Sequence, residues 1–351
     1  MSAPPPAAAT DLFSALFFML AAIAGAGCTL RVLQRRERWR ARDRVDDLAR
    51  SLCEFLERRL PPQDLAKEAA AAEPDVFWAT LEDLVPRRSG WFALSRALAD
   101  NHHFAAEREA LLDKSPWRRD LAARRLALLF SPEARHALRR ALRNGPGLVT
   151  AAAAAALARY RDLEALRWLL ENPTALERRP HRSRVTLLRG FGRRALPDLA
   201  AALDRGTGDA AMDRALIEAL GLAGCRDACR SIERRLREGD TEQRIAAARA
   251  LGRMRADDCA TTLMGALRDE VWQVRAQAAW ALGRTRSAIA MLALPARLTD
   301  PAWWVRRHAA YALREFGTEG RRELERIAHG SPDPYARDMA REALEGWPDA
   351  A

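Results

Sequence analysis

The sequence predicts an all-α protein: a right-handed α-solenoid of helical hairpins, preceded by a single transmembrane helix. Three observations support this prediction. Eight stretches of the chain restart a similar pattern at intervals of 31 residues, which is typical of stacked repeats rather than one closed core. Apolar residues recur three or four positions apart almost everywhere after residue 44, as in amphipathic helices. The run from Leu12 to Leu30 holds 19 residues and no charge.

Residues 12–30 are predicted to span a membrane. With a helical rise of about 1.5 Å per residue, this run extends roughly 28 Å, which is close to the hydrocarbon thickness of a bilayer. Lys and Arg cluster on the cytoplasmic side of a spanning helix, and here arginines follow the run. The tail of residues 1–11 is therefore expected outside and the repeats in the cytoplasm. This topology predicts a single-pass protein of a bacterial inner membrane.

Two alternatives remain for this N-terminal run. A cleaved signal peptide would need basic residues before the apolar run, and none is present. Residues 25–28, Gly-Ala-Gly-Cys, weakly resemble a lipoprotein cleavage site. The missing basic residues and the arginines that follow disfavour that alternative, so the sequence favours an uncleaved anchor.

Residues 31–60 are predicted to form a basic, amphipathic juxtamembrane helix. Val45, Leu48, Leu52 and Leu60 make an apolar stripe along it. Residues 31–44 hold seven arginines against Glu37 and Asp43, whereas the rest of the chain after residue 44 carries only +7 of the total net charge of +11. Arginines near anionic headgroups each contribute about 1 kcal/mol to membrane binding. The residues expected at the membrane surface are Arg35, Arg36, Arg38, Arg40, Arg42 and Arg44.

Residues 61–115 are predicted to be a helical cap on the solenoid. Pro61 and Pro62 end the preceding helix because proline cannot continue it. Further breaks at residues 73–74, 86–90 and 115–116 divide the segment into three or four short helices. Its aromatic residues are expected to bury a small core, namely Phe77, Trp78, Trp91 and Phe92.

Residues 116–347 are predicted to form the repeats. Leucine–glycine pairs recur at residues 220–221, 251–252 and 282–283. Gly252 and Gly283 are interpreted as helix ends in the left-handed conformation. An acidic residue, such as Asp269 or Asp300, precedes each of the two clearest repeats and can cap a helix. Small side chains are expected to let neighbouring helices approach closely, at Ala278, Ala279, Ala309 and Ala310.

These repeats resemble the HEAT family, particularly the short bacterial version also found in phycobilin lyases. The resemblance rests on Pro295 in a first helix, Asp300 in the turn and residues 305–306, Val-Arg, in a second helix. It covers roughly residues 117–347 and is strongest after residue 184. It implies that helices of the Val-Arg type line a concave side. It also implies that Asp and Arg residues six positions apart, such as Asp300 and Arg306, form ladders between stacked repeats.

A cluster of tryptophans and arginines is the candidate partner-binding site. Trp272 and Trp303 lie one period apart, and consecutive Trp303 and Trp304 cannot both face the core of one helix. An exposed tryptophan beside arginine is typical of a protein-binding hot spot. The alternative is packing at repeat junctions. The candidate residues are Trp272, Trp303, Trp304, Arg306 and Arg307.

The sequence contains no motif that indicates catalysis, a cofactor or a metal. None of the six histidines lies in a His-x-x-x-His pair or precedes glutamate, and no phosphate-binding or nucleophile motif occurs. Cys225 and Cys229 lie one helical turn apart, but the five cysteines do not suggest a disulfide framework. The run of residues 151–156, all alanine, predicts helix and no site. We therefore expect a protein that is not an enzyme.

Two functions remain in competition. The first is a membrane-tethered scaffold that binds a protein partner, such as an envelope-building or signalling enzyme of the inner membrane. The second is nucleic-acid binding through a basic concave groove, as in HEAT-like DNA glycosylases. The modest charge after residue 44 disfavours nucleic acid. A chromophore-lyase role rests on analogy with similar repeats alone.

Overall fold

The computed structural model describes residues 44–85, 91–98 and 100–345. These residues form α-helices joined by turns and short 3-10 segments, with no strand among them. Backbone contacts divide the chain into two compact units: residues up to 113 with 128–134, and residues 114–127 with those from 135 onward. The predicted spanning run, Leu12 to Leu30, lies outside the described residues. Among the residues described, no helix combines the length and the apolar character needed to cross a bilayer.

The first unit contains five helices among its described residues. They are α1 (44–56), α2 (Pro62–Ala71), α3 (Pro74–Leu84), α4 (Trp91–Ala97) and α5 (His102–Ala110). Proline opens α2 and α3, where its missing N–H is not needed. Helix α1 ends before the proline pair, because the chain turns at Arg58 with a φ of 63°.

Aromatic residues form the core of the first unit. Phe77 and Trp78 are buried, as predicted, and meet edge to face with ring centroids 5.0 Å apart. Phe104 packs against both rings. His103 stacks on Phe77, and burial lowers the pKa of its imidazole. The prediction for Phe92 is wrong: its side chain is 75% exposed on the short helix α4, where Leu94 and Ser95 are buried instead. The side chain of Trp91, also predicted in this core, lies outside what the structure describes.

The helices of the second unit alternate between two layers. We call the first set layer A: α7 (Pro132–Asn144), α9 (Leu163–Glu171), α11 (Leu196–Arg205), α13 (Cys229–Glu238), α15 (Ala260–Ala266), α17 (Ala288–Ala293) and α19 (Thr318–Gly330). Layer B comprises α6 (Pro116–Leu126), α8 (Gly147–Arg159), α10 (His181–Gly190), α12 (Ala210–Ala223), α14 (Thr241–Met254), α16 (Trp272–Thr285), α18 (Trp303–Arg314) and α20 (Pro334–Leu344). Each helix of layer B packs on the next. The prediction of stacked helical hairpins is thus confirmed.

The repeated glycines lie inside helices, so their predicted role as helix ends is wrong. Gly252 and Gly283 belong to α14 and α16, and the left-handed residues that end these helices are Arg255 and Arg286. A Cβ atom on Gly283 would stand 2.7 Å from both Cα and Cβ of Ala312 in the next repeat. The glycines therefore permit close contact between successive helices of layer B.

Asp and Arg side chains join successive repeats, as the family resemblance implied. Arg275 donates from Nε and Nη2 to the two carboxylate oxygens of Asp300, at 2.8 and 2.9 Å. Arg244 makes the corresponding contact with Asp269, 2.9 Å away. Each arginine also donates to a carbonyl of the turn before its own helix, so it fixes that turn while holding the next repeat. We call this arrangement the Asp–Arg ladder.

Ionisation of Asp300 is stabilised inside this ladder. Burial disfavours the charged carboxylate, but hydrogen bonds from Arg275 and from the backbone N–H of Ala302 outweigh it and hold its pKa below the usual value. The same hydrogen bond raises the pKa of Arg275. Because the pair is largely shielded from water, we expect it to matter more than an ion pair on the surface.

Candidate functional site

Four aromatic side chains are exposed where three consecutive helices of layer B begin. We call Trp272, Trp303, Trp304 and Tyr335 the aromatic row; they are exposed by 39%, 43%, 48% and 65%. Trp272 opens α16, the adjacent pair opens α18, and Tyr335 is the second residue of α20. The row therefore continues from one repeat to the next in steps of 31 residues, from 272 to 303 and from 304 to 335.

The row is exposed because other residues of the same helices fill the core. Val274 and Val305 are fully buried, and the helical turn leaves the preceding residues on the open side. Trp303 and Trp304 meet edge to face, with ring centroids 4.7 Å apart. This contact restricts both rings and leaves their outer surfaces open. Rigid, exposed indoles lose little conformational entropy when a partner covers them.

A groove of about 350 Å³ extends from the row along layer B. Trp272 and Trp304 line one end of it, together with His308. The imidazole Nδ1 of His308 lies 2.9 Å from the carbonyl oxygen of Ala276, which fixes the ring between α16 and α18. The groove thus combines apolar rings with groups able to form hydrogen bonds, as ligand-binding clefts in proteins do.

Charged groups along this groove already have partners within the chain. Arg214 pairs with Glu242 at 2.9 Å, and the His181 imidazole lies 2.7 Å from Glu218. Burial of Glu218 opposes its ionisation, but the contacts with His181 and Arg253 outweigh it and lower the pKa of this carboxyl. This part of the surface therefore offers a balanced set of charges rather than a continuous basic track.

Arg307 connects the row to a second hollow of about 430 Å³. Its guanidinium carbon lies 5.7 Å from the ring centroid of Trp303 and 4.5 Å from that of Tyr311, within the range of cation–π attraction. Nε of Arg307 also lies 3.6 Å from the carboxylate of Glu342 on α20. The predicted residues Trp303, Trp304 and Arg307 are therefore brought together on one surface.

Arg306 faces the repeat junction instead. Its Nη1 donates to the carbonyl oxygens of Asp300 and Pro301, at 2.8 and 3.1 Å, as the ladder arginines do. Its guanidinium lies over the ring of Tyr335, 5.2 Å from the centroid. Position 331, where the repeat would supply the next aspartate, is serine. The Nε of Arg306 is buried and has no hydrogen-bond partner among the described residues.

Of the predicted membrane-surface arginines, only Arg44 falls within the described residues. It pairs with Glu73 of the first unit, and both side chains remain half exposed or more. The others, Arg35, Arg36, Arg38, Arg40 and Arg42, lie outside the described residues.

Sequence reasoning overlooked two features of layer B. Tyr335 extends the aromatic row, and its position 31 residues after Trp304 is the signal that could have found it. The alanines of α8, interpreted as plain helix, line an open hollow. Nothing in the local sequence indicates a hollow there, because it depends on how far the neighbouring side chains reach.

The chain also holds a pair of interacting thiols in layer A. A hydrogen bond from Cys259 lowers the pKa of Cys229 to about 7, and the same bond raises the pKa of Cys259. Burial raises the pKa of Cys225. Within the described ranges, no three His, Cys, Asp or Glu side chains are grouped so that they could hold a metal ion.

Comparison with known proteins shows what the repeats are similar to. Residues 196–283, 231–300 and 260–345 match the family model described as HEAT repeats. No curated protein matches the chain. A structure of human deoxyhypusine hydroxylase in complex with glycerol is 18% identical over 80% of this chain and 98% of its own, with a TM-score of 0.33.

Two further structures, which contain Kap121p and Kap95p, are also similar in part. Kap121p bound to Nup53p shares 14% identity over 81% of this chain and 39% of its own, with a TM-score of 0.49. A structure of Kap95p with RanGDP shares 13% over 83% and 51%, with a TM-score of 0.47. At such identities the likeness concerns the fold and not the function. Residues 196–345 of the chain therefore match the model of HEAT repeats and form stacked helical hairpins joined by the Asp–Arg ladder.

Proposed function

We propose that this protein is a membrane-tethered scaffold without enzymatic activity, which binds a protein partner through the aromatic row. The observation that carries the proposal is the exposure of four large aromatic side chains on three consecutive helices. Soluble proteins rarely expose contiguous apolar patches unless these bind something. Tryptophan, tyrosine and arginine dominate the binding energy of protein interfaces, and the row with Arg307 provides all three.

The sequence supports the tether. The uncharged run of 19 residues from Leu12 to Leu30 is long enough to span a bilayer, and seven arginines follow it. The proposed arrangement holds the repeats at the cytoplasmic face of a bacterial inner membrane. A partner in or near that membrane, such as an enzyme of envelope building or signalling, would then meet the row at high effective concentration.

A protein partner is favoured over nucleic acid by the charges around the row. Carboxylates alternate with arginines there, as in the pair of Arg214 with Glu242 and the contact of Arg307 with Glu342. A nucleic-acid track needs arginines and lysines free to neutralise phosphates. Mixed charge around an aromatic centre is instead typical of the rim of a protein interface.

Capture of the partner tests the role of the row. The full chain would be purified from membranes after nuclease treatment, beside a variant that combines Trp304→Ala with Arg307→Ala. Leu292→Ala is the matched control, because Leu292 is 82% exposed on α17 of layer A. We expect the double variant to lose its partner at unchanged helicity, and the control to retain it. Loss of all partners on nuclease treatment would favour nucleic acid instead.

Deletion of residues 1–30 tests the tether separately. The shortened chain is expected in the soluble fraction, because the uncharged run is gone. Continued membrane association would indicate instead that the arginines of residues 31–44 or a membrane partner anchor the chain.

A further inference from the structure

An open hollow of about 910 Å³ lies on layer B, where helices α6, α8 and α10 meet. Its floor consists largely of alanine methyl groups of α8, including those of Ala151, Ala152 and Ala155. On later helices of the same layer, longer side chains such as Arg249 and Gln277 line a smaller groove of about 350 Å³. The alanine run therefore creates the hollow, because its side chains end at Cβ. We call this feature the alanine hollow.

Arginines surround the alanine hollow. Six of its lining residues are arginine and none is aspartate or glutamate: Arg124, Arg159, Arg161, Arg179, Arg182 and Arg184. Arg124 pairs with Asp120 at 2.7 Å, and Arg184 donates to the carbonyl oxygens of Leu176 and Glu177.

The remaining four arginines have no carboxylate partner in the described part of the chain. They are Arg159, Arg161, Arg179 and Arg182. Desolvation lowers the pKa of Arg159, although more than a third of this residue is exposed. Positive charge that is partly desolvated and uncompensated is stabilised by a bound anion. The alanine hollow differs in this respect from the groove beside the aromatic row, where Arg214 has Glu242 as partner.

The apolar surface continues beyond the hollow along α6. Trp117 and Leu121 are 75% and 38% exposed, and they precede Arg124 by seven and three residues. This helical spacing places all three side chains on one face of α6. An occupant of the hollow thus meets an apolar floor, an apolar extension and a basic rim.

We propose that the alanine hollow binds an acidic, amphipathic segment of a protein partner. Its leucine-like side chains would lie on the alanine floor, and its flanking carboxylates would pair with Arg159 and Arg182. Arginine binds carboxylates through two parallel hydrogen bonds, which gives such a contact geometric specificity. The proposal rests on the proposed function, because it assumes that the partner is a protein.

The floor favours a protein segment over nucleic acid. Non-specific binding of single strands uses aromatic side chains on which the bases stack, and no aromatic residue lines the hollow. A floor of methyl groups instead gives apolar side chains a surface on which to become buried. The small alanines also allow the backbone of a helix to approach closely.

Peptide binding to the full chain in nanodiscs tests the proposal. The probe is a fluorescein-labelled helical peptide of about 15 residues, long enough for marginal helicity, with leucines along one face and glutamates beside them. A second peptide carries lysine in place of every glutamate. We expect the acidic peptide to bind, with an affinity that falls as salt increases, and the lysine peptide not to bind.

Two kinds of variant separate the roles of rim and floor. Arg159→Glu with Arg182→Glu reverses the rim charge, and Ala155→Trp fills the floor from a position that is exposed on α8. Each is expected to weaken binding of the acidic peptide at least tenfold while helicity is retained. Arg189→Glu is the matched control, because Arg189 is an exposed arginine of α10 outside the hollow, and binding should stay within twofold.

Several results would overturn the proposal. The first is that the acidic peptide does not bind. The second is that the rim variant and the floor variant each bind it as tightly as the unchanged protein does. The third is that an oligo-dT probe binds and that the same variants abolish its binding. The double variant at Trp304 and Arg307 separates this site from the aromatic row. It should bind the peptide normally even though it fails to capture the membrane partner. Normal partner capture by that variant would contradict the role of the aromatic row. It would not bear on the alanine hollow, which the peptide measurements test by themselves.

Discussion

Replacing one glycine inside a helix should destabilise the second unit, although alanine is the better helix former. A Cβ atom at Gly283 would lie 2.7 Å from Cα and Cβ of Ala312 and 3.1 Å from its carbonyl oxygen. Carbon atoms in contact are normally about 3.5–4.0 Å apart, so α16 and α18 would have to separate by about 1 Å. The backbone atoms that Cβ meets cannot rotate away, unlike the end of a flexible side chain.

The size of the effect follows from two opposing contributions. Overpacking a close contact costs about 1–3 kcal/mol of unfolding free energy, whereas Gly→Ala within a helix returns about 1 kcal/mol. We therefore expect Gly283→Ala to destabilise the unit by up to about 2 kcal/mol. For a unit of this size, that corresponds to a fall in Tm of up to roughly 8 °C.

Gly265→Ala is the matched control for this measurement. Gly265 lies in α15 of layer A, and an added Cβ would meet nothing within 4 Å. Its substitution should stabilise the helix by about 0.5–1 kcal/mol and raise Tm. Thermal unfolding of the full chain, followed by circular dichroism, compares the two variants. The reasoning is refuted if Gly283→Ala raises Tm as the control does, because the glycine would then not be required for close packing.

Three further predictions concern the ladder and the thiols. Ser331→Asp should give Arg306 the carboxylate that Arg275 already has, and raise the unfolding free energy by about 0.5–1 kcal/mol in thermal melts, whereas Ser331→Asn should not. Asp300→Asn should cost about 2–4 kcal/mol at neutral pH. Because the folded pKa of Asp300 is lowered, its contribution to the unfolding free energy is present above about pH 3.9 and is lost as pH falls through the folded pKa. The stability difference between Asp300→Asn and the unchanged protein should therefore shrink in acid denaturation curves. A difference that does not depend on pH would contradict an ionic role. Iodoacetamide should alkylate Cys229 with a midpoint near pH 7 and should spare Cys259 at that pH. Site-resolved mass spectrometry can measure both reactions. Equal labelling of the two thiols would contradict the hydrogen bond between them.

The period of the repeats could be read from the sequence, but the role of the repeated glycines could not. The spacing of Leu251-Gly252 and Leu282-Gly283 indicated stacked helices correctly. The interpretation of these glycines as helix ends relied on local preference, since glycine favours left-handed backbone. The actual requirement is a distance to the next repeat, and that distance exists only after stacking. Arginine occupies the left-handed positions instead, at Arg255 and Arg286.

The candidate site shows a similar division. Two adjacent tryptophans cannot both face one core, so exposure of at least one of Trp303 and Trp304 followed from helical geometry alone, and the structure exposes both. The different environments of Arg306 and Arg307 could not be inferred in this way, because they depend on which repeat-junction groups each guanidinium reaches. The alanine hollow was equally hidden. A run of alanines predicts a helix from propensity, but whether neighbouring side chains cover it depends on the stack.

The open end of the Asp–Arg ladder affects the last hairpin of the stack. The serine at position 331 lies between helices α19 and α20, so no carboxylate fork ties this hairpin to Arg306. In repeat proteins each unit is stabilised mainly by its neighbours, so a missing contact at one junction weakens the hairpin that lacks it. Hydrogen exchange should therefore be faster in this hairpin than in the two before it, which the ladder holds. Because Tyr335 lies on it, a partner that covers this tyrosine would also slow the opening of this hairpin.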